Sequence, residues 1–206
     1  MEISKLSNVY DKLAEAYDRK RSLFNIDEIV NEFRADLDVD RGSLLDLGCG
    51  TGVPVGSLFV RNGWDVVGVD ISQKMLSLAH DHVPEMKTVC SDICSIDFDA
   101  STFDAITLVY SLFHIPKNKH RELLGKLYRW LKPNGVALFT YATKEFTGRD
   151  EFEGYIDFLG QPLFYSHETP GKLYRLLENV GFQVVSGKNY SIANETFLWV
   201  TIRKPM

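Results

Sequence analysis

Ser43-Leu44-Leu45-Asp46-Leu47 is a short apolar run that closes on three glycines in five residues, Gly48, Gly50 and Gly52. A run of this length bounded by glycine reads as a buried strand. Glycines placed directly after a strand let the backbone turn sharply and approach a ligand with no Cβ in the way. A tight turn accounts for one of them. Three in alternation, ahead of a helix, point to a ligand loop, and a loop of that kind needs a layered α/β framework around it.

The rest of the chain supplies one. Trp64–Val69, Thr88–Cys90, Phe103–Tyr110, Val136–Tyr141, Phe182–Tyr190 and Thr196–Arg203 read as further strands from their β-branched and aromatic content. Helices are expected between them: a short one over Leu58–Arg61, one from the capping Ser72 to His80, one over 117–131, and one from Thr169 to Gly181 with Pro170 at its first position. This alternation predicts a doubly wound, mostly parallel seven-stranded α/β sheet with helices on both faces. The connection Ser191–Glu195 is too short for a parallel crossover, so the last strand should run antiparallel. Ahead of the sheet, Val9, Leu13, Ala14 and Tyr17, then Ile26, Ile29, Val30, Phe33 and Leu37, recur at helical spacing. The reading is one domain over 1–206: an N-terminal helical lid (1–40), a cofactor-binding core (41–141), a substrate-side insertion that breaks the rhythm (142–168), and a closing helix and strands (169–206).

Charge narrows the function. The net charge is −5, with ten acids against six bases in residues 1–40 and eighteen against seventeen in the remainder, so no basic face is offered to nucleic acid or anionic lipid. Three cysteines, an odd number, argue against a disulfide framework and for a reducing compartment. Cys90 and Cys94 are too few and wrongly spaced for a zinc site, so no metal is expected. The N-terminus lacks a signal-peptide core and no run of about 18 apolar residues follows. A cytoplasmic location is the expectation.

In such sheets a ligand sits beyond the carboxyl ends of the strands. The dinucleotide fingerprint G-x-G-x-x-G fits poorly, because the third glycine comes one residue early and Val53 holds its place. No Lys-Ser/Thr pair follows as in a P-loop. Asp46, at the end of the first strand, would repel a pyrophosphate and welcome a cationic group. Asp70 ends the second strand, where a carboxylate can accept both hydroxyls of a ribose.

An acid followed by Gly-x-Gly-x-Gly, with Asp70 and then Cys90-Ser91-Asp92-Ile93 after the next strands, resembles the class I S-adenosylmethionine-dependent methyltransferases of the small-molecule type. The resemblance covers 43–141 and, more loosely, the rest. It implies S-adenosylmethionine as cofactor and contacts to it from Tyr17, Asp46, Gly48, Cys49, Gly50, Gly52, Asp70, Ile71, Asp92, Ile93 and Val109. Asp46 would help position the methionine amino end. Asp92 would accept the adenine amine, which suits a group that accepts but cannot donate. The Tyr10-Asp11 and Tyr17-Asp18 pairs, seven residues apart on one helix face, are similar to the lid pairs of such enzymes. Tyr10, Phe113, Phe164 and Tyr165 are then expected on the substrate side.

Two histidines are candidate bases. His114, in a His-x-Pro after the fourth strand, either takes a proton from the acceptor or merely ties loop backbone, and His167 in the insertion is its rival. The expected activity is methyl transfer to the oxygen or nitrogen of a small molecule, releasing S-adenosylhomocysteine. An NAD-dependent oxidoreductase and a non-catalytic S-adenosylmethionine-binding protein are the alternatives.

Overall fold

The computed structural model describes residues 3–20 and 25–206; the helical reading of residues 1, 2 and 21–24 lies outside the described residues. The chain begins with α1 (Ile3–Lys20) and α2 (Asp27–Ala35). Strands β1 (Ser43–Leu47), β2 (Asp65–Asp70), β3 (Lys87–Cys90), β4 (Phe103–Leu108) and β5 (Leu131–Tyr141) follow, separated by α3 (Val55–Arg61), α4 (Gln73–His82) and α5 (Lys117–Trp130). A short α6 (Lys144–Thr147) and a hairpin, β6 (Phe152–Phe158) with β7 (Gln161–His167), lead to α7 (Pro170–Val180), β8 (Gln183–Ile192) and β9 (Glu195–Arg203).

The main sheet has seven strands in the order β3-β2-β1-β4-β5-β9-β8. Pairings from β3 through β5 are parallel, and β9 pairs antiparallel with both β5 and β8. The antiparallel last strand is thus as expected, though it inserts between β5 and β8. Side chains alternate across the pleat. Leu44 joins Val30, Phe33, Phe59 and Trp64 on the face of α2 and α3, while Leu45 and Leu47 join Leu124, Leu127 and Trp130 on the face of α5. Each fully buried side chain of this size contributes about 1.5–3 kcal/mol, so both faces hold the sheet.

Two departures matter for the site. The fourth strand stops at Leu108, two residues before the expected end, because Tyr110 adopts φ 55° and the chain drops into a 3-10 turn over Leu112–His114. The segment 142–168 carries the β6–β7 hairpin, whose two-residue turn at Leu159-Gly160 has φ 54° and 77°. Both central residues with positive φ mark the turn that suits strand twist, and asparagine usually stands where Leu159 does.

α1 lies on α4. The Ser72 hydroxyl caps α4 by accepting from Met75 N–H (3.1 Å) and donates to Asp11 Oδ1 of α1 (2.5 Å). Asp11 Oδ1 also accepts from Lys74 N–H (3.2 Å), and Ser7 Oγ donates to the Ile71 carbonyl (3.1 Å). Ser72→Ala removes a cap and the link to α1 together. It should cost about 1–3 kcal/mol in urea unfolding and speed proteolysis within α1; an unchanged midpoint and cleavage rate would contradict this coupling.

Candidate active site

The strand order reverses between β1 and β4, and a cavity opens there beyond the carboxyl ends of the parallel strands. The glycine loop leaves β1 with Gly48, Gly50 and Gly52 all at positive φ (76°, 53° and 76°). A Cβ at Gly48 would lie 2.5 Å from that of Ser111, so only glycine lets the loop pass the turn after β4. The N–H groups of Gly48 and Cys49 donate to the Val69 carbonyl at 2.7 and 3.0 Å. Gly50 N–H donates to Asp70 Oδ2 at 2.9 Å, and a Cβ on Gly50 would meet nothing within 4 Å. The loop is tied to β2 on one side and open to the cavity on the other.

Two buried carboxylates face that space. Asp46 Oδ1 accepts from Thr107 Oγ1 at 2.8 Å, yet burial, aided by the charge of Asp70, pushes its carboxyl up to about 7. Burial also raises the Asp70 carboxyl, against the opposing pull of N–H groups from Ser72 and Gly50. The remaining wall is largely aromatic, with Tyr10 and Tyr17 from α1, Tyr110 and Phe113 after β4, Phe158 and Tyr165 from the hairpin, and Phe197 from β9. Among the described residues no lysine or arginine lines the cavity. A site with buried acids, ring faces and no cation suits a positively charged ligand group.

His114 sits at this wall. Nδ1 lies 2.7 Å from the Phe164 carbonyl, which can only accept, so Nδ1 carries the proton and Nε2 keeps its lone pair. The ring packs edge-on against Phe113 and Tyr165 (4.7 Å each) and Tyr10 (5.8 Å). Burial drives its pKa down to about 4, which keeps it neutral at ordinary pH. A neutral imidazole of fixed tautomer at a cavity wall can take a proton.

Most of the expected residues meet at this cavity: Tyr17, Asp46, Gly48, Cys49, Gly50, Asp70, Ile71, Ile93 and Val109, with Tyr10, Phe113, Tyr165 and His114. Four do not. A Cβ on Gly52 would meet Met86 and Val83, so that glycine serves packing behind the loop. Asp92 turns its oxygens onto its own turn, accepting from Cys94 N–H and Ser95 Oγ (3.0 Å each), while Ser91 and Ile93 reach the cavity instead. Phe164 presents its carbonyl to His114 and its ring to Tyr155 (5.8 Å). His167 is fully buried away from the cavity, with Nε2 2.7 Å from Thr147 Oγ1 and Nδ1 3.2 Å from the Glu168 carbonyl. The sequence reading overlooked Glu195 and Phe197, which arrive because antiparallel β9 starts at the same sheet edge where the parallel strands end.

Comparison with known proteins agrees with this geometry. A family model described as a methyltransferase domain matches residues 17–187. YqeM of Bacillus subtilis, a methyltransferase by name, is 27% identical over 203 residues, covering 91% of this chain and 78% of that protein. Phosphoethanolamine N-methyltransferase 3 of Arabidopsis thaliana is 31% identical over 172 residues, 77% of this chain, but the match spans only 32% of that protein. Among solved structures, the 1,6-didemethyltoxoflavin-N1-methyltransferase of Burkholderia thailandensis, with S-adenosylhomocysteine bound, superposes with a TM-score of 0.73 at 19% identity, covering 99% of this chain and 87% of that one.

The buried Asp46 makes a thermodynamic prediction. Its carboxyl is raised from 3.8 to about 7 on folding, so the folded state holds a proton that the unfolded chain has released across that window. Stability from this group is therefore full below pH 4 and lost as pH rises through 7. Asp46→Asn keeps an acceptor for Thr107 and removes the titration. The variant should melt like the wild type near pH 4 and be more stable by roughly 4 kcal/mol at pH 8. Parallel melting curves across pH check this; a constant difference would refute it.

Proposed function

The chain belongs to the class I S-adenosylmethionine-dependent methyltransferases, and we propose that its cavity carries methyl transfer to the oxygen or nitrogen of a small acceptor without a phosphate group. The observation that carries the reading is the pairing of buried Asp46 and Asp70 with aromatic walls and no described cationic side chain. Such a lining favours a sulfonium and an ammonium, and it disfavours the pyrophosphate of a dinucleotide. The phosphoethanolamine that names the Arabidopsis relative would meet no described lysine or arginine here, so the lining disfavours an acceptor of that type.

Each residue then has a task. Asp70 gives one lone pair on each oxygen to backbone N–H groups and retains others for ribose hydroxyls. Gly48 and Gly50 bring backbone close to the ligand, and Asp46 suits the methionine amino end. Ser91 and Ile93 would flank the adenine. Bound S-adenosylmethionine supplies an electrophilic methyl for in-line displacement. Tyr10 and Tyr17 close the cavity from α1 and exclude water, and their ring faces stabilise positive charge by about 0.5–2 kcal/mol. Positioning the acceptor supplies much of the acceleration, with His114 Nε2 taking any proton that must leave.

The same reading treats 1–206 as one methyltransferase domain. A cytoplasmic location is supported by Cys49, Cys90 and Cys94 all being free thiols. Among the described residues no helix is long and apolar enough to cross a membrane. A near-neutral charge balance over 41–206 speaks for a small acceptor over nucleic acid.

The direct test is incubation with methyl-labelled S-adenosylmethionine and fractionated cell extract, followed by mass spectrometry of the labelled species. Tight cofactor binding with no labelled small molecule from any fraction would favour the non-catalytic alternative. Asp70→Ala should weaken S-adenosylmethionine binding by roughly 2–4 kcal/mol in calorimetry, the worth of charge-assisted hydrogen bonds. Unchanged affinity in a folded variant would place the ribose elsewhere. His114→Gln should slow turnover by about 10²–10⁴-fold. The penalty should be equal at pH 6 and pH 9, because the histidine is already neutral across that range. His167→Gln, which breaks the Thr147 contact outside the cavity, should lower the melting temperature and spare turnover. The reverse pattern would exchange their roles.

A further inference from the structure

The cavity has two ends. Asp46 and Asp70 mark the end beneath β1 and β2, while Glu195 stands at the opposite end, where β9 begins. Register explains its position: Leu198 pairs with Tyr141 at the last residue of β5, so Glu195, three residues earlier on an antiparallel strand, lies beyond the end of β5 and pairs only with Ile192 of β8. The Ala193-Asn194 turn, with φ 50° and 66°, holds that strand start in place.

Around Glu195 the wall is aromatic. Tyr165, Phe113 and Phe197 form a stack, with centroids 5.3 and 4.9 Å apart and ring planes within 12°, and Tyr110 meets Phe197 edge-on at 5.4 Å. The Glu195 carboxylate is half-buried and takes part in no ion pair or hydrogen bond with any described residue, while the phenols of Tyr110 and Tyr165, raised chiefly by burial, both feel its charge. A desolvated carboxylate without a partner costs stability and gains nothing within the protein. Beside ring faces, it becomes favourable once a cation arrives.

The geometry points to Glu195 as the specificity residue for the acceptor, pairing with a positively charged nitrogen on an organic molecule whose apolar part lies against the Phe113–Phe197–Tyr165 stack. The assignment rests on the methyltransferase reading of the same cavity and adds the acceptor's chemical class, an organic cation or amine. The balance of charge at this end excludes carboxylates and phosphates, which Glu195 would repel.

The test titrates three benzyl probes by NMR on the S-adenosylhomocysteine-saturated protein: benzyltrimethylammonium, its neutral isostere neopentylbenzene, and the anion phenylacetate. The cation should bind at least about tenfold tighter than the neutral isostere, and phenylacetate weakest of all. Glu195→Gln should erase the cation's advantage, and Glu195→Lys should turn the preference toward phenylacetate. S-adenosylhomocysteine affinity, measured by calorimetry, should be the same in all three proteins. Equal binding of cation and isostere by the wild type, or a preference that survives Glu195→Gln, overturns the assignment. Failure of the wild type to bind S-adenosylhomocysteine overturns the methyltransferase reading instead, so the two failures are distinct.

Discussion

The carboxylate of Asp70 is the joint on which the site depends. One oxygen accepts from Gly50 N–H and so fixes the open bend of the glycine loop. The other accepts from Ser72 N–H at 2.9 Å, and Ser72 in turn caps α4 and donates to Asp11 on α1. Through one buried side chain the end of β2, the ligand loop, a helix start and the N-terminal lid share an arrangement. Each of those bonds is charge-assisted or buried, the class worth most when made and costing most when broken. The lid is therefore coupled to the same group that would read the cofactor's ribose.

That design carries an internal cost. Asp46 and Asp70 are both held above their ordinary carboxylate range, chiefly by burial, with the charge of Asp70 adding to the effect at Asp46 and that of Asp11 at Asp70. A folded protein seeking only stability would replace them with apolar residues of similar size. Their retention at the mouth of a cavity, with Thr107, Ser72 and Gly50 holding their orientation, makes sense if a ligand completes the balance. His114 follows the same logic with opposite sign, since burial strips its charge and the Phe164 carbonyl leaves one nitrogen open.

The parts of the site that were legible in the sequence are those fixed by local backbone geometry. Three glycines after β1 and acids at strand ends occupy positions set by the pleat and the parallel crossover, so their approximate destination follows from order alone. What escaped was decided by side chains turning away. Asp92 sits at the right strand end, but Cys94 N–H and Ser95 Oγ, two and three residues on, engage its oxygens locally. His167 shares the face of Leu163 and Tyr165, but as the last residue of β7 it lies past the cavity, against Thr147. The hairpin itself was hidden because Leu159 takes the left-handed conformation that asparagine usually advertises.

Chain direction accounts for the remaining feature. In a wholly parallel sheet every strand presents its carboxyl end to the ligand, and every loop there precedes a helix. Antiparallel β9 breaks that rule by bringing the start of a strand, Glu195 with Phe197, to the same edge. The parallel half and the hydrogen-bonded loop behind Asp70 are constrained by backbone contacts, so little can change there without loss of the fold. The β9 start pairs with β8 past the end of β5, and the β6–β7 hairpin is tied to the sheet edge by the Phe164 carbonyl at His114, by Ser166 Oγ on the Ile115 carbonyl and by Tyr165 packed on Phe113. The Glu195 side chain bonds to no described residue of the loop or lid, so substitution there reshapes one end of the cavity without disturbing either. On the proposed reading, methyl supply and acceptor choice fall to opposite ends of one cavity.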